Sequence, residues 1–79
     1  MIIYFRAGSE LRERLKPDVD QYTRRVNVQD GYNVREILKT IGIEPSLVAF
    51  VYTEGKMVGF DYIPRDGQTI TIQPPVSGG

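Results

Sequence analysis

An α+β fold is what this sequence predicts, with a mixed sheet of four to five strands and one main helix packed on one face. Three observations predict it. Five short stretches rich in β-branched and aromatic residues are separated by turn signals. A single stretch, Asn33 to Gly42, carries a clear helical repeat. The patterns then run strand, strand, helix, strand, strand, strand, with no internal repeat, linker or second domain between them.

The first strand is Ile2 to Arg6. Ile3 and Phe5 share one face and Ile2 and Tyr4 the other, as in a strand covered by neighbours on both sides. From Gly8 to Asp20 the sequence reads as a long connection with one helical turn after Ser9, stopped by Pro17. "QYTRRVNVQ" alternates, with Tyr22, Val26 and Val28 on the inward parity and Thr23, Arg25 and Asn27 on the other, so its arginines defend an exposed edge. Asp30-Gly31 turns the chain. In the helix, Asn33 caps the first turn, Glu36 completes a capping box, and Val34, Ile37, Leu38 and Ile41 form one apolar stripe before Gly42 stops it. "LVAFVYT" is the third strand. The bulkier set Val48, Phe50 and Tyr52 is expected in the core, and Ala49 and Val51 on the other face. Glu54 to Lys56 turns tightly into "MVGFD", and Pro64 to Gly67 is a β-turn. The last strand, "TITIQ", places Ile70 and Ile72 inward and Thr69 and Thr71 outward.

Two antiparallel pairs joined by a right-handed helical crossover put the first and last strands parallel in the middle of the sheet. This is the β-grasp (ubiquitin-like) arrangement, spanning residues 1–73 and followed by a tail at 74–79. One helix covers one face only, so the opposite face, with Tyr4, Arg6, Val51 and Thr71, is the expected docking surface for partners.

Composition narrows the chemistry. A domain of 79 residues buries only about 60–65% of its unfolded surface, although a 41% hydrophobic content suffices for one core. Cysteine and histidine are both absent, which removes thiol catalysis, thiolate or imidazole metal sites and the commonest general base. Ser9, Ser46 and Ser77 therefore have no histidine to activate them. Asp18 and Asp20 read as solvated loop acids, and no glycine pattern cradles a phosphate. No metal site and no catalytic residue is expected, and the chain is read as something other than an enzyme. Ten basic and ten acidic side chains cancel, and the first 25 residues, with six bases and four acids, are only mildly basic. Nucleic-acid binding is not expected. Neither an apolar run of ~20 residues nor an export leader is found, so the expectation is a cytoplasmic protein without a membrane anchor.

The end of the sequence, "QPPVSGG", carries the functional reading. Pro74 and Pro75 favour a stiff extended path. Val76 and Ser77 follow, and Gly78 and Gly79 bring no side-chain bulk, so the tip fits passages that exclude side chains. A frayed end is the competing reading. A carboxylate on Gly79 is a poor acyl donor until one oxygen becomes part of a leaving group, as in adenylation by ATP.

On "NVREILKTIGI" as the helix, "DGQTITIQPPVSGG" as the last turn, strand and tail, and the strand order between them, the chain resembles the ubiquitin-like sulfur carriers of the ThiS/MoaD family. Its "PPVSGG" is similar to the tail of the molybdopterin synthase small subunit, whereas Gly42 to Val48 looks more like the thiazole-pathway carrier. Gln68 stands where the family usually has an acid, and Thr53 where it often has Asn, which leaves open whether molybdopterin or thiamine is served. The resemblance implies that an E1-like enzyme adenylates Gly79. A sulfur donor protein then leaves a C-terminal thiocarboxylate, and a sulfur-accepting partner, the molybdopterin synthase large subunit or thiazole synthase, draws the sulfur away. Pro74, Pro75, Val76, Ser77 and Gly78 would thread Gly79 into these active sites. The carrier itself binds no cofactor; ATP belongs to the activating enzyme. A second reading joins Gly79 to lysines of other proteins as a ubiquitin-like modifier. A third is a passive β-grasp interaction domain whose glycines only fray.

Overall fold

A computed structural model describes residues 1–75. The elements are β1 (Ile2–Ala7), α1 (Ser9–Leu15), β2 (Thr23–Asn27), α2 (Val34–Thr40), a 3-10 turn at Pro45–Leu47, β3 (Phe50–Thr53), β4 (Lys56–Val58) and β5 (Thr69–Gln73). They build one five-stranded sheet in the order β2-β1-β5-β3-β4. β1 and β5 pair in parallel, while β1–β2, β3–β5 and β3–β4 are antiparallel. The parallel middle pair and the two flanking antiparallel pairs are those expected from the sequence.

α2 forms as its sequence dictates. Asn33 Oδ1 accepts the Glu36 N–H at 2.9 Å, and Glu36 Oε1 accepts the Asn33 N–H at 3.0 Å, so the capping box is complete. Val34, Ile37 and Leu38 are fully buried, and Gly42 takes a φ of +81°, a left-handed stop that favours glycine. Ile3, Phe5, Ile70 and Ile72 meet this stripe from the sheet in a single core. No buried side-chain nitrogen or oxygen among the described residues lacks a hydrogen-bond partner.

Five local expectations are corrected. Residues 9–15 form a helix of two turns, not one turn within a loop. Leu11 and Leu15, four apart, bury 98–100% of their surface in the core, and this packing holds the helix although Gly8 offers no side-chain cap. In β3 the inward set is reversed. Val51 and Thr53 are buried, at 2% and 6% exposure, and Phe50 and Tyr52 lie on the other face. The reason is register: Val51 stands opposite Ile72 of β5, and cross-strand partners share a face. Val48, which precedes the strand, is buried as expected. Tyr22 is exposed because it precedes β2, and Thr23 is buried in its place, its carbonyl accepting the N–H groups of Asp18 and Val19. Of the two arginines expected to guard the edge, Arg25 is exposed, but Arg24 turns inward and donates Nη1–H to the Leu15 carbonyl at the end of α1. The last turn runs one residue later than expected, from Arg65 to Gln68, with Gly67 at φ +85°.

Candidate functional site

β5 is the third of the five strands. Thr71 has Arg6 of β1 on one side and Tyr52 of β3 on the other. Where β5 ends, Ala49 N–H still donates to the Gln73 carbonyl at 2.8 Å. Pro74 follows half-buried and Pro75 exposed, so the chain leaves the sheet from a position braced on both sides. Val76, Ser77, Gly78 and Gly79 lie outside the described residues.

The face turned away from α2 is built row by row from the pairing. One row reads Thr23, Arg6, Thr71, Tyr52, Met57, and the next holds Arg25, Tyr4 and Thr69. Of the residues expected to dock partners, Tyr4, Arg6 and Thr71 therefore lie together on this face. Val51 does not, because its pairing with Ile72 and Val58 turns it into the core. Phe50 and Tyr52 stand where Val51 was expected, with ring centroids 6.4 Å apart, and Met57 beside them is 61% exposed. The alternation within "AFVYT" hid these residues. The unambiguous inward parity of Ile70 and Ile72, carried across the β3–β5 pairing, is the signal that finds them.

At the end of the face nearest the tail, Arg6, Ala7, Gly8, Tyr22 and Thr71 line a pocket of about 380 Å³. The Arg12 guanidinium sits 5.6 Å from the centre of the Tyr22 ring, a cation–π contact. Asp20 lies beside them. Its carboxylate accepts the Tyr22 N–H at 2.8 Å, and that bond, then one from the Thr23 side chain, holds it below the usual carboxylate range. Among the described residues no cluster of acids is arranged to hold a metal ion, and no helix is long and apolar enough to cross a membrane.

A five-stranded mixed sheet with a parallel middle pair, a capped helix over one face and an open opposite face define a ubiquitin-like β-grasp protein. The chain belongs to the Mut7-C ubiquitin family, whose model matches residues 1–77. Its fold is similar to that of SAMP1 from Haloferax volcanii, with a TM-score of 0.72 at 22% identity and 100% of each chain covered. It is also similar to a chain in the complex of subunits 1 and 2 of the molybdopterin-converting factor from Helicobacter pylori 26695. There the TM-score is 0.60 at 16% identity, again with 100% of each chain covered. No curated protein sequence matches the chain.

Proposed function

We propose that this chain is a sulfur carrier and not an enzyme, with the Gly79 carboxylate as its working group. An oxygen of that carboxylate attacks the α-phosphate of ATP on an E1-like enzyme, and pyrophosphate leaves. A hydrosulfide equivalent from a donor protein then attacks the acyl carbon, AMP departs with the oxygen, and a thiocarboxylate remains. A synthase subunit takes the sulfur for a cofactor precursor, of molybdopterin or of the thiamine thiazole. The observation that carries this reading is the position of β5. The strand that runs into Pro74-Pro75 is paired on both sides, so a stiff arm starts from a fixed base and its slim Gly-Gly tip can be presented at reach. The H. pylori neighbour lends support, since that protein is a complex of two subunits of a molybdopterin-converting factor.

The test begins with the intact mass of the protein isolated from its own cells, which should place a free carboxylate on Gly79. Incubation with the E1-like enzyme, ATP and a sulfide source should then raise the mass by the exchange of one oxygen for sulfur, located by fragmentation at Gly79. Loss of Gly79, or a bulky residue at position 78, should abolish the exchange. Covalent adducts on the lysines of other proteins would assign the chain to protein modification instead. Sulfur transfer that survives removal of both glycines would overturn the reading.

A further inference from the structure

The pocket beside the tail root has a chemical character of its own. It is lined by Ala7 and Gly8 where β1 ends, by Thr71 of β5 and by the aromatic Tyr22. Arg6 also lines it and is exposed. Among the described residues neither Arg6 nor Arg12 makes an ion pair, while Arg35 and Arg65 both do. The acids nearest the pocket are otherwise engaged. Asp20 accepts the Tyr22 N–H at 2.8 Å without forming an ion pair with Arg6, and Asp18 accepts the Arg25 N–H at 2.9 Å. Arg6 thus lines the hollow, and Arg12 lies over the ring of its neighbour Tyr22, with neither held in an ion pair among the described residues.

Position gives the pocket its use. Thr71 precedes Pro74 by three residues, about 10 Å of extended chain, so a protein that receives the tail must pass over it. We propose that this pocket seats a carboxylate side chain, Asp or Glu, of the tail-receiving protein, paired with Arg6 and steadied against the Tyr22 ring, with Arg12 adding charge. A guanidinium presents two parallel N–H groups to a carboxylate, and the Tyr22 ring favours a neighbouring aliphatic residue on the partner. This inference rests on the carrier reading, because it assumes that a partner grips the tail.

The probe is a capped Leu-Glu-Glu-Leu peptide, with Leu-Gln-Gln-Leu as control, titrated into the isotope-labelled full chain and followed by amide chemical shifts. Saturable shifts should gather at Ala7, Gly8, Tyr22 and Thr71 with the Glu peptide and be absent with the Gln peptide. Arg6→Gln should weaken binding about tenfold, as expected for loss of a charge-assisted bond, and Arg12→Gln by less. Salt at about 0.5 M should weaken it as well. Both arginine variants should keep the wild-type pattern of shifts elsewhere, which shows that they fold. No saturable shift, equal binding of the two peptides, or unchanged affinity in Arg6→Gln would each overturn the proposal. The mass change at Gly79 is read separately, so a failed pocket with an intact sulfur exchange removes this inference and leaves the carrier reading standing, whereas a failed exchange removes the carrier reading and, with it, the tail-receiving protein as the pocket's occupant.

Discussion

Gln68 is buried to 7% exposure, yet both ends of its carboxamide are used. Its Oε1 accepts the Arg65 N–H at 2.9 Å, and its Nε2 donates to the Tyr62 hydroxyl at 2.7 Å. The acid usual at this place in the resembled carriers would meet the same two groups, with the tyrosine hydroxyl turned to donate. The departure is therefore absorbed by one rotatable hydrogen. Gln68→Ala strands both partners and should cost about 1–3 kcal/mol in urea unfolding. Asp20 makes a prediction about acid. Its folded pKa is depressed, first by the Tyr22 N–H and then by Thr23, so the folded state holds this proton less tightly than the unfolded one. The resulting stability is present above the ordinary Asp value and is lost as pH falls through the lowered one. Asp20→Asn should flatten the acid limb of the urea midpoint against pH and leave its neutral portion with the same slope.

At the scale of elements, α1 and β3 show where reading residues alone falls short. Leu11 and Leu15 were visible as a spacing of four, but two apolar positions between Gly8 and Pro17 do not separate a helix from a loop that dips inward. What decides is the space left beside β1, which only the assembled core defines. Leu15→Ala should accordingly cost about 2–5 kcal/mol, as much as Ile37→Ala in α2, whereas a peripheral loop would lose far less. In β3, side-chain bulk was a poor guide to direction because both parities are apolar. The α2 capping box and the Ile70–Ile72 alternation were legible for the opposite reason: each is a short-range pattern with one solution. The exposed face these strands create carries its own expectation. Tyr4→Glu and Phe50→Asp place charge where solvent already reaches, so both should fold, with thermal unfolding close to wild type. Each should nonetheless weaken association with the activating enzyme or the synthase subunit in calorimetry. Unchanged affinity in both variants would free the face of any docking role.

For the molecule as a whole, the fold was legible in outline because strand order and crossover rules leave few ways to cover one apolar helix with five strands. Of the candidate site, the tail was named from its composition, and its last four residues lie outside the described structure. Three of the four docking-face residues fell on one face, while the fourth, Val51, depended on a register that no single strand reveals. Removal of Gly78 and Gly79 should leave the thermal midpoint almost unchanged while abolishing sulfur exchange, since the last ladder bond described closes at Gln73 and precedes both residues.

The parallel pairing of β1 with β5 also sets a timetable. The strand at the middle of the sheet is the last of the five to be synthesised, and its partner is the first. Until Thr69 to Gln73 has cleared the ribosome, β1–β2 and β3–β4 are two separate ribbons with nothing between them, and a lone two-stranded ribbon is marginal in water. The nascent chain is therefore expected to gain its order late, when the last strand of the sheet closes the gap. A stalled chain ending before Thr69 should be digested by protease as readily as an unfolded one, and a chain released past Gln73 should resist. The braced strand at the root of the tail is in this way also the one that completes the sheet.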